Sequence, residues 1–384
     1  MIGLLLALVY VCFISLGLPD SLLGSAWPVL HQEINVPVSF AGIISTVISL
    51  GTIVSSLLSD RLAKKWGSGV ITAVSIAMTA VALFGFSISG SFWTLLLWSV
   101  PYGLGAGGVD AVLNNYVALH FKPQHMSWLH CFWGVGASVS PYIMSFSLLK
   151  LHGWNEGYLI VSIVQIVLSL VIFLSLPIWK KSVEQEDVKS EPLRFGEILR
   201  IPGAVPCFIL FFAYCSLELC ASLWASSFLV EARGVAPEIA SAFASLFYIG
   251  MTVGRGINGF FAMKFKDRTL IRAGLALIAV GVGLLFLPFS WGSLVGFVVV
   301  GLGCAPVYPC IIHMTPDLFG KERSQAMIGV QMAAAYSGFC FVPPLVGLFA
   351  EKISILLLPV CLAVLLVLII CMHETVVLKT KKEP

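Results

Sequence analysis

Apolar stretches of about 20 residues recur along the whole chain, separated by short polar turns, and one helix needs about that length to cross a bilayer. Charged residues make up 11% of the 384 residues, whereas an ordinary soluble domain has roughly 25%. Because so few charges cannot cover a water-facing surface, lipid must be the solvent for much of it. Backbone groups in lipid must be hydrogen-bonded within the chain, so the stretches are predicted to be helices.

Twelve such stretches are present, and we predict an all-α integral membrane protein with twelve transmembrane helices. The predicted spans are 3–30, 38–58, 69–89, 92–117, 127–149, 157–179, 203–230, 237–262, 269–289, 292–315, 324–349 and 353–372.

The Lys and Arg residues predict the orientation. Of the 22, 18 fall on the side where we place the N-terminus, three fall on the other side, and Arg255 lies inside a span. Cytoplasmic turns carry the excess of basic residues. We therefore expect a multi-pass protein of the cell membrane with both termini in the cytoplasm. The short outer turns suit a bacterial inner membrane.

The longest polar stretch, 180–202, divides the spans into six and six. We predict an N-terminal six-helix bundle over 1–179, a cytoplasmic linker over 180–202, a C-terminal six-helix bundle over 203–373 and a cytoplasmic tail over 374–384.

The two halves resemble each other at an offset of 197 to 199 residues. The matched pairs are Asp20 with Glu218, Trp27 with Trp224, Gly51 with Gly250 and Gly103 with Gly301. Such a parallel repeat of six and six helices predicts a transporter with its substrate site at the midplane between the halves.

The turn after the second span carries a recognisable motif. Ser56-Leu-Leu-Ser-Asp60-Arg61-Leu-Ala63-Lys64-Lys65 resembles the major facilitator pattern G-x-x-x-D-R-x-G-R-R, with Ser56 and Ala63 in place of the glycines. Gly254-Arg255-x-x-x-Gly259 resembles its echo in the second half. The resemblance implies the major facilitator fold, two pseudo-symmetric six-helix bundles, over the whole chain.

More narrowly, the chain resembles the fucose/glucose–proton symporter family. The stretches that carry this resemblance are GLPDSLLGSAWP (17–28), GLGAGGVDAVLNNYVALHF (103–121), HMSWLHCFWGVGASVSP (125–141) and YCSLELCASLW (214–224). Family members place one acid in the first helix and another in the fourth, and these positions match Asp20 and Asp110. The resemblance implies uptake of a sugar together with protons.

Three intramembrane acids, Asp20, Asp110 and Glu218, are the candidates for proton coupling. An ionisable group inside a span costs a few kcal/mol, so each is a functional hypothesis by default. A poorly solvated carboxyl can bind and release a proton as its exposure alternates. The alternative is an acid that only joins helices through hydrogen bonds.

Amides, indoles and other polar rings inside the spans are the candidates for substrate binding, since an indole face stacks on a sugar ring and its N–H bonds a hydroxyl. The candidates are Trp27, Asn114, Asn115, His130, Trp133, Trp224, Tyr308, Gln331 and Tyr336. His130 is alternatively a structural histidine at a helix start. Asp60, Arg61 and Arg255 are interpreted as gating charges whose pairs break during alternation.

We expect no enzyme activity, because the chain has no G-x-x-x-x-G-K-[ST], G-x-S-x-G or H-E-x-x-H motif. The cysteines form no CxxC pair, so neither a metal nor another cofactor is expected. The partners would be a small-molecule substrate, protons and membrane lipid, with no nucleic acid, and the chain is expected to be a monomer.

Three functions fit these observations. The first is proton-coupled uptake of a hexose or related sugar by alternating access. The second is proton-driven export of amphipathic drugs or metabolites, since the chain has 26 Phe residues and a Gly134-x-Gly136…Pro141 run in the fifth span. The third is a receptor or lipid-handling protein that does not transport, against which the intact acids argue. Sodium remains open as the coupling ion.

Overall fold

The computed structural model describes residues 2–37, 40–151, 153–183 and 192–380. Parts of the predicted linker (184–191) and of the predicted tail (381–384), and residues 38–39 of the second span, lie outside the described residues. The helices, numbered in chain order, are α1 Ile2–Asp20, α2 Leu22–Glu33, α3 Phe40–Trp66, α4 Ser68–Ser87, α5 Phe92–His120, α6 Pro123–Phe146, α7 Trp154–Val183, α8 Phe195–Ile198, α9 Ala204–Arg233, α10 Pro237–Phe261, α11 Asp267–Leu285, α12 Ser290–Phe319, α13 Lys321–Lys352 and α14 Leu358–Lys379.

The all-α prediction is confirmed, and the described residues contain no strand. Within them, eleven helical segments are long and apolar enough to cross a membrane. The eighth predicted span, 237–262, forms the 25-residue helix α10. A short π-helical turn, Ser147–Leu151, follows α6, and a 3-10 turn, Ile355–Leu357, precedes α14.

The first predicted span is broken in the structure. α1 ends at Asp20, Ser21 lies between the helices, and α2 begins at Leu22. The cause lies at Pro19, inside the last turn of α1, because proline has no backbone N–H and its ring clashes with the carbonyl four residues earlier. Asp20 and Trp27, which lie in one predicted span, therefore belong to different helices.

The described chain forms two compact units. The first contains the residues up to Tyr116 and Leu129–Leu193, and the second contains Val117–Trp128 and the residues from Arg194 onward. The four predicted segments, 1–179, 180–202, 203–373 and 374–384, stay predictions.

Glycines set the closest helix crossings of the first unit. A Cβ on Gly103 in α5 would overlap the backbone oxygen of Ile48 in α3. Likewise, a Cβ on Gly17 in α1 would overlap the backbone oxygen of Trp133, and one on Gly136 in α6 would overlap that of Ile14. Small residues at these crossings let the backbones approach closely, which supplies packing where lipid gives no hydrophobic drive.

The second unit contains equivalent crossings. A Cβ on Gly301 in α12 would lie 2.5 Å from the backbone oxygen of Phe247 in α10, and one on Gly338 in α13 would lie 2.5 Å from that of Phe212 in α9. Gly103 and Gly301 are 198 residues apart, and Ile48 and Phe247 are 199 apart. The sequence repeat therefore has a counterpart in the packing inside each unit.

Candidate functional site

The carboxylate of Asp20 lies at the break in the first span and binds side chains from two other helices. Tyr102 in α5 donates its hydroxyl to Oδ1 at 3.3 Å, and Trp133 in α6 donates its indole N–H to Oδ2 at 2.9 Å. Asp20 is otherwise exposed. Each carboxylate oxygen thus has a neutral donor, and a hydrogen bond to a charged group is about twice as strong as a neutral one.

The second acid of the first unit, Asp110, begins a buried line of hydrogen bonds. Asn114, one turn later in α5, donates Nδ2 to Asp110 Oδ1 at 2.8 Å, and its Oδ1 lies 3.0 Å from Nε2 of His130 in α6. Asp110, Asn114 and His130 are 5%, 0% and 5% exposed. Because a carboxylate only accepts, the amide nitrogen faces Asp110, and His130 must donate to the amide oxygen.

Through these hydrogen bonds, the protonation state of Asp110 affects the bond between Asn114 and His130. A protonated Asp110 has a donor of its own, so the orientation of the Asn114 amide is no longer fixed by the carboxylate. The ring of Phe13 in α1 meets His130 edge-on, with centroids 5.3 Å apart, and holds the imidazole in place. Asn115 is also buried, at 6% exposed.

Glu218, the counterpart of Asp20, belongs to a buried cluster in the second unit. Tyr214 in α9 donates its hydroxyl to Glu218 Oε2 at 2.6 Å, and Nη2 of Arg255 in α10 lies 3.6 Å from the same oxygen. The Arg255 side chain is 4% exposed and that of Glu218 is 14% exposed. A predicted gating charge and a predicted proton-coupling acid are therefore one ion pair.

Other candidates of the second unit are bonded within it. Trp224 donates its indole N–H to the backbone oxygen of Pro343 at 3.1 Å, and Tyr308 donates to Met332 Sδ at 3.1 Å. Gln331 is fully buried and its amide nitrogen lies 3.0 Å from the Thr315 hydroxyl. A ligand that used these polar atoms would have to exchange these bonds.

The remaining candidates make contacts of other kinds. Trp27 in α2 is 5% exposed and its ring lies 6.1 Å from that of His31. Tyr336 makes an edge contact with Phe339. Asp60, 4% exposed, pairs with Lys64 at 3.0 Å and accepts from the backbone N–H of Leu193 at 3.3 Å, and the neighbouring Arg61 is exposed.

Two side chains near Asp20 were not among the candidates predicted from the sequence. Tyr102 was not singled out, although a tyrosine after a proline in the middle of a span is a visible signal. Gln165 in α7 is 1% exposed and bonds α1 and α4. An amide in the middle of so apolar a segment is costly in lipid, and that cost is the signal that could have identified it.

Eleven helical segments of membrane-spanning length within the described residues, with close glycine crossings between helices, define the class of polytopic helical membrane proteins. The chain belongs to the Major Facilitator Superfamily, whose family model matches residues 9–236 and 206–384. The family and the fold are those of transporters and not of enzymes.

Curated relatives cover most of the chain. Bypass of stop codon protein 6 of Saccharomyces cerevisiae is 25% identical over 388 aligned positions, covering 91% of this chain and 77% of the yeast protein. The glucose/mannose transporter GlcP of Bacillus subtilis is 21% identical, covering 91% of this chain and 88% of GlcP.

Solved structures show the same fold. The crystal structure of the E. coli fucose:proton symporter FucP superposes with a TM-score of 0.78 at 14% identity, covering 97% of this chain and 98% of FucP. This similarity establishes the fold, and the prediction that the chain resembles the fucose/glucose–proton symporters within the superfamily is supported by both FucP and GlcP.

Proposed function

We propose that this chain takes up a hexose or a related sugar together with protons by alternating access. One observation carries the proposal: the first unit holds Asp20 between an indole and a phenol, and Asp110 at the end of a buried amide–imidazole line. An indole, a phenol and an amide bind a carboxylate without neutralising its charge. Proton binding is then the step that removes the charge.

The energetics of alternation explain why the acids matter. A charge in the middle of a membrane protein is expensive when the site closes and water leaves. Protonation of Asp20 or Asp110 removes that charge, so the loaded and protonated site closes more easily than the unprotonated one. Substrate and proton movements are coupled in this way without any covalent step.

We assign sugar recognition to polar and aromatic side chains in each of the two units. In the first unit, Trp27, Asn114, Asn115, His130 and Trp133 are the proposed ligands; in the second, Trp224, Tyr308, Gln331 and Tyr336. GlcP, by its name a glucose/mannose transporter, and FucP, a fucose:proton symporter, support a sugar as the substrate class.

The remaining assignments are proposed on the same basis. Asp20, Asp110 and Glu218 couple protons, while Asp60, Arg61 and Arg255 act in gating. Both termini lie in the cytoplasm, the halves are 1–179 and 203–373, and the transporter works as a monomer in the cell membrane, which the composition suggests is a bacterial inner membrane.

Uptake of labelled glucose, mannose, galactose and fucose into proteoliposomes tests the proposal, with an inward proton gradient, an inward sodium gradient, or neither. We expect the proton gradient to drive accumulation of at least one sugar. Asp110→Asn should abolish this accumulation but keep gradient-free exchange. Asp317→Asn, which changes an exposed acid at the end of α12, is the matched control and should behave as wild type.

No sugar uptake under any gradient would contradict the proposal. Proton-driven efflux of amphipathic cations in the same liposomes would then establish the exporter alternative. Accumulation driven by a sodium gradient alone would mean that the substrate is a sugar and that the coupling ion is sodium, not the proton.

A further inference from the structure

Two prolines flank the Asp20 site, and each removes a backbone hydrogen bond from its helix. In an α-helix the N–H of residue i bonds the carbonyl of residue i−4, and proline has no N–H. Pro19 therefore leaves the Ser15 carbonyl of α1 without its helical donor, and Pro141 does the same to the Ala137 carbonyl of α6. A buried carbonyl without a donor costs free energy, most of all in a membrane.

The Ser15 carbonyl receives its hydrogen bond from another helix. Gln165 of α7 donates Nε2 to this oxygen at 2.7 Å, and its Oε1 accepts the hydroxyl of Thr79 in α4 at 2.7 Å. Gln165 and Thr79 are 1% and 4% exposed. Because the Ser15 carbonyl can only accept, the amide orientation is fixed. Gln165 thus links the C-terminal end of α1 to α7 and α4.

The Ala137 carbonyl is bonded in the same manner. Ser21, the residue at the break between α1 and α2, donates its hydroxyl to the Ala137 oxygen at 2.8 Å. Ala137 lies one turn after Trp133, the indole donor to Asp20. The two replacement hydrogen bonds therefore lie on either side of the Asp20–Trp133 contact. The Gln165 bond fixes the turn of α1 that ends at Asp20, and the Ser21 bond fixes α6 next to Trp133.

A small cavity lies next to the first of these bonds. Its lining includes Ser15, Pro19, Thr79, Tyr102 and Gln165. The Gln165–Ser15 bond therefore lies at the edge of a cavity, and Gln165 supplies the donor that the proline removed.

We propose that Gln165 and Ser21 are positioning residues for Asp20: they bind the carbonyls that Pro19 and Pro141 leave without donors, and so present the Asp20 carboxylate to Trp133 and Tyr102. Neither side chain touches Asp20 through its polar atoms. The consequence for transport rests on the proposed function, whereas the hydrogen-bond replacement does not.

A double-mutant cycle on thermal unfolding tests the replacement without any substrate. Gln165→Leu should lower the unfolding temperature of the purified protein. In a Pro19→Ala background residue 19 regains its N–H, which can bond Ser15, so Gln165→Leu should then have a clearly smaller effect. Ser21→Ala and Pro141→Ala should show the same non-additivity.

Ser162→Ala is the matched control. Ser162 also lies in α7 and donates to a carbonyl of α4, that of Ala80, but the residue four positions on is Phe84 and keeps its N–H. Its substitution should have the same small effect with or without Pro19→Ala. Equal effects of Gln165→Leu on the unfolding temperature in both backgrounds would contradict the proposal that Gln165 replaces the donor missing at Pro19.

Transport kinetics test the positioning role. In Gln165→Leu the maximal rate of proton-driven uptake should fall roughly tenfold, the size expected when Asp20 loses a charge-assisted hydrogen bond, while the KM for gradient-free exchange stays unchanged. Ser162→Ala should match wild type. Proton-driven uptake in Gln165→Leu equal to that of Ser162→Ala would overturn positioning.

The two readouts separate the inference from the proposed function. If wild type transports no sugar, the function fails while the unfolding cycle still decides whether Gln165 replaces the missing donor. If wild type transports sugar and the cycle is additive, the function stands and the inference fails.

Discussion

At the scale of single residues, the acids of this chain are distinguished by what binds them. Asp20 has two uncharged donors and Asp110 has an amide, whereas Glu218 has an arginine at 3.6 Å. An uncharged donor lets a carboxyl exchange its proton at little cost to its surroundings. An arginine does not, because protonating its partner leaves a buried cation. Asp20 and Asp110 are therefore better suited than Glu218 to repeated protonation.

The Trp133 contact gives a direct residue-level prediction. Trp133→Phe keeps an aromatic ring but removes the N–H that Asp20 Oδ2 accepts. Proton-driven uptake should fall roughly tenfold, because a hydrogen bond to a charged group contributes about 1.5–3 kcal/mol. Radiolabelled uptake into proteoliposomes measures it. Trp93→Phe, at a tryptophan that is 74% exposed, is the control, and equal rates in the two variants would contradict the assignment.

The Glu218–Arg255 pair predicts a stability effect. Arg255→Met leaves the Glu218 carboxylate without its buried counter-charge and should destabilise the protein by about 3 kcal/mol. Adding Glu218→Gln removes the stranded charge and should recover most of the loss. Thermal unfolding of the single and double variants measures both. A double variant less stable than Arg255→Met would contradict the interpretation that the loss comes from the unpaired Glu218 charge.

The sequence identified many of the residues that the structure brings together, and its limits have a physical reason. Asp110 and Asn114 are four apart, so helical spacing alone places them side by side. His130 and Trp133 share a helix, yet one meets Asn114 and the other meets Asp20. Which helix face meets which neighbour depends on the rotation and crossing of separate helices. Sequence spacing does not contain that information, so it could not place Tyr102 beside Asp20 or Gln165 beside Ser15.

At the scale of elements, apolar length predicted where the spans lie but did not predict where each helix begins and ends. The predicted fourth span, 92–117, is the helix Phe92–His120, and the predicted fifth, 127–149, is Pro123–Phe146. Hydropathy marks the part of a helix that lies in lipid, whereas the helix itself continues into the polar region until its backbone bonding ends. The break at Ser21 was not predicted, because 3–30 was predicted as one continuous span, although Pro19 is visible in the sequence.

The glycine crossings give an element-level prediction. Gly103→Ala and Gly301→Ala each introduce a Cβ into a backbone oxygen of a neighbouring helix, that of Ile48 or Phe247. Each should destabilise its unit by about 1–3 kcal/mol through overpacking. Gly283→Ala, in α11 with nothing within 4 Å of the added Cβ, should be neutral or slightly stabilising.

Unfolding temperatures of the three variants in one detergent check this prediction. Because the two crossings are counterparts in the repeat, the losses at Gly103 and Gly301 should be similar. A neutral Gly103→Ala would mean that α3 and α5 do not approach as closely as the structure shows.

At the scale of the whole molecule, each unit uses the same packing, but the two units carry different chemistry. The first holds the Asp20 contacts and the Asp110–Asn114–His130 line, and the second holds the Glu218–Arg255 ion pair. In the proposed mechanism, the acids with uncharged donors in the first unit exchange protons more readily than Glu218, whose partner in the second unit is an arginine. The repeat was visible in the sequence, whereas this difference required the side-chain contacts.

Proton movement induced by sugar is the measurement that tests the central claim most directly. Proteoliposomes loaded with a pH-sensitive dye receive external sugar in the absence of any imposed gradient. We predict that a transported sugar acidifies the lumen with wild type and Asp317→Asn. In liposomes also loaded with unlabelled sugar, Asp110→Asn should exchange labelled sugar with no acidification. Sugar entry without acidification in wild type, or acidification that persists in Asp110→Asn, would contradict it.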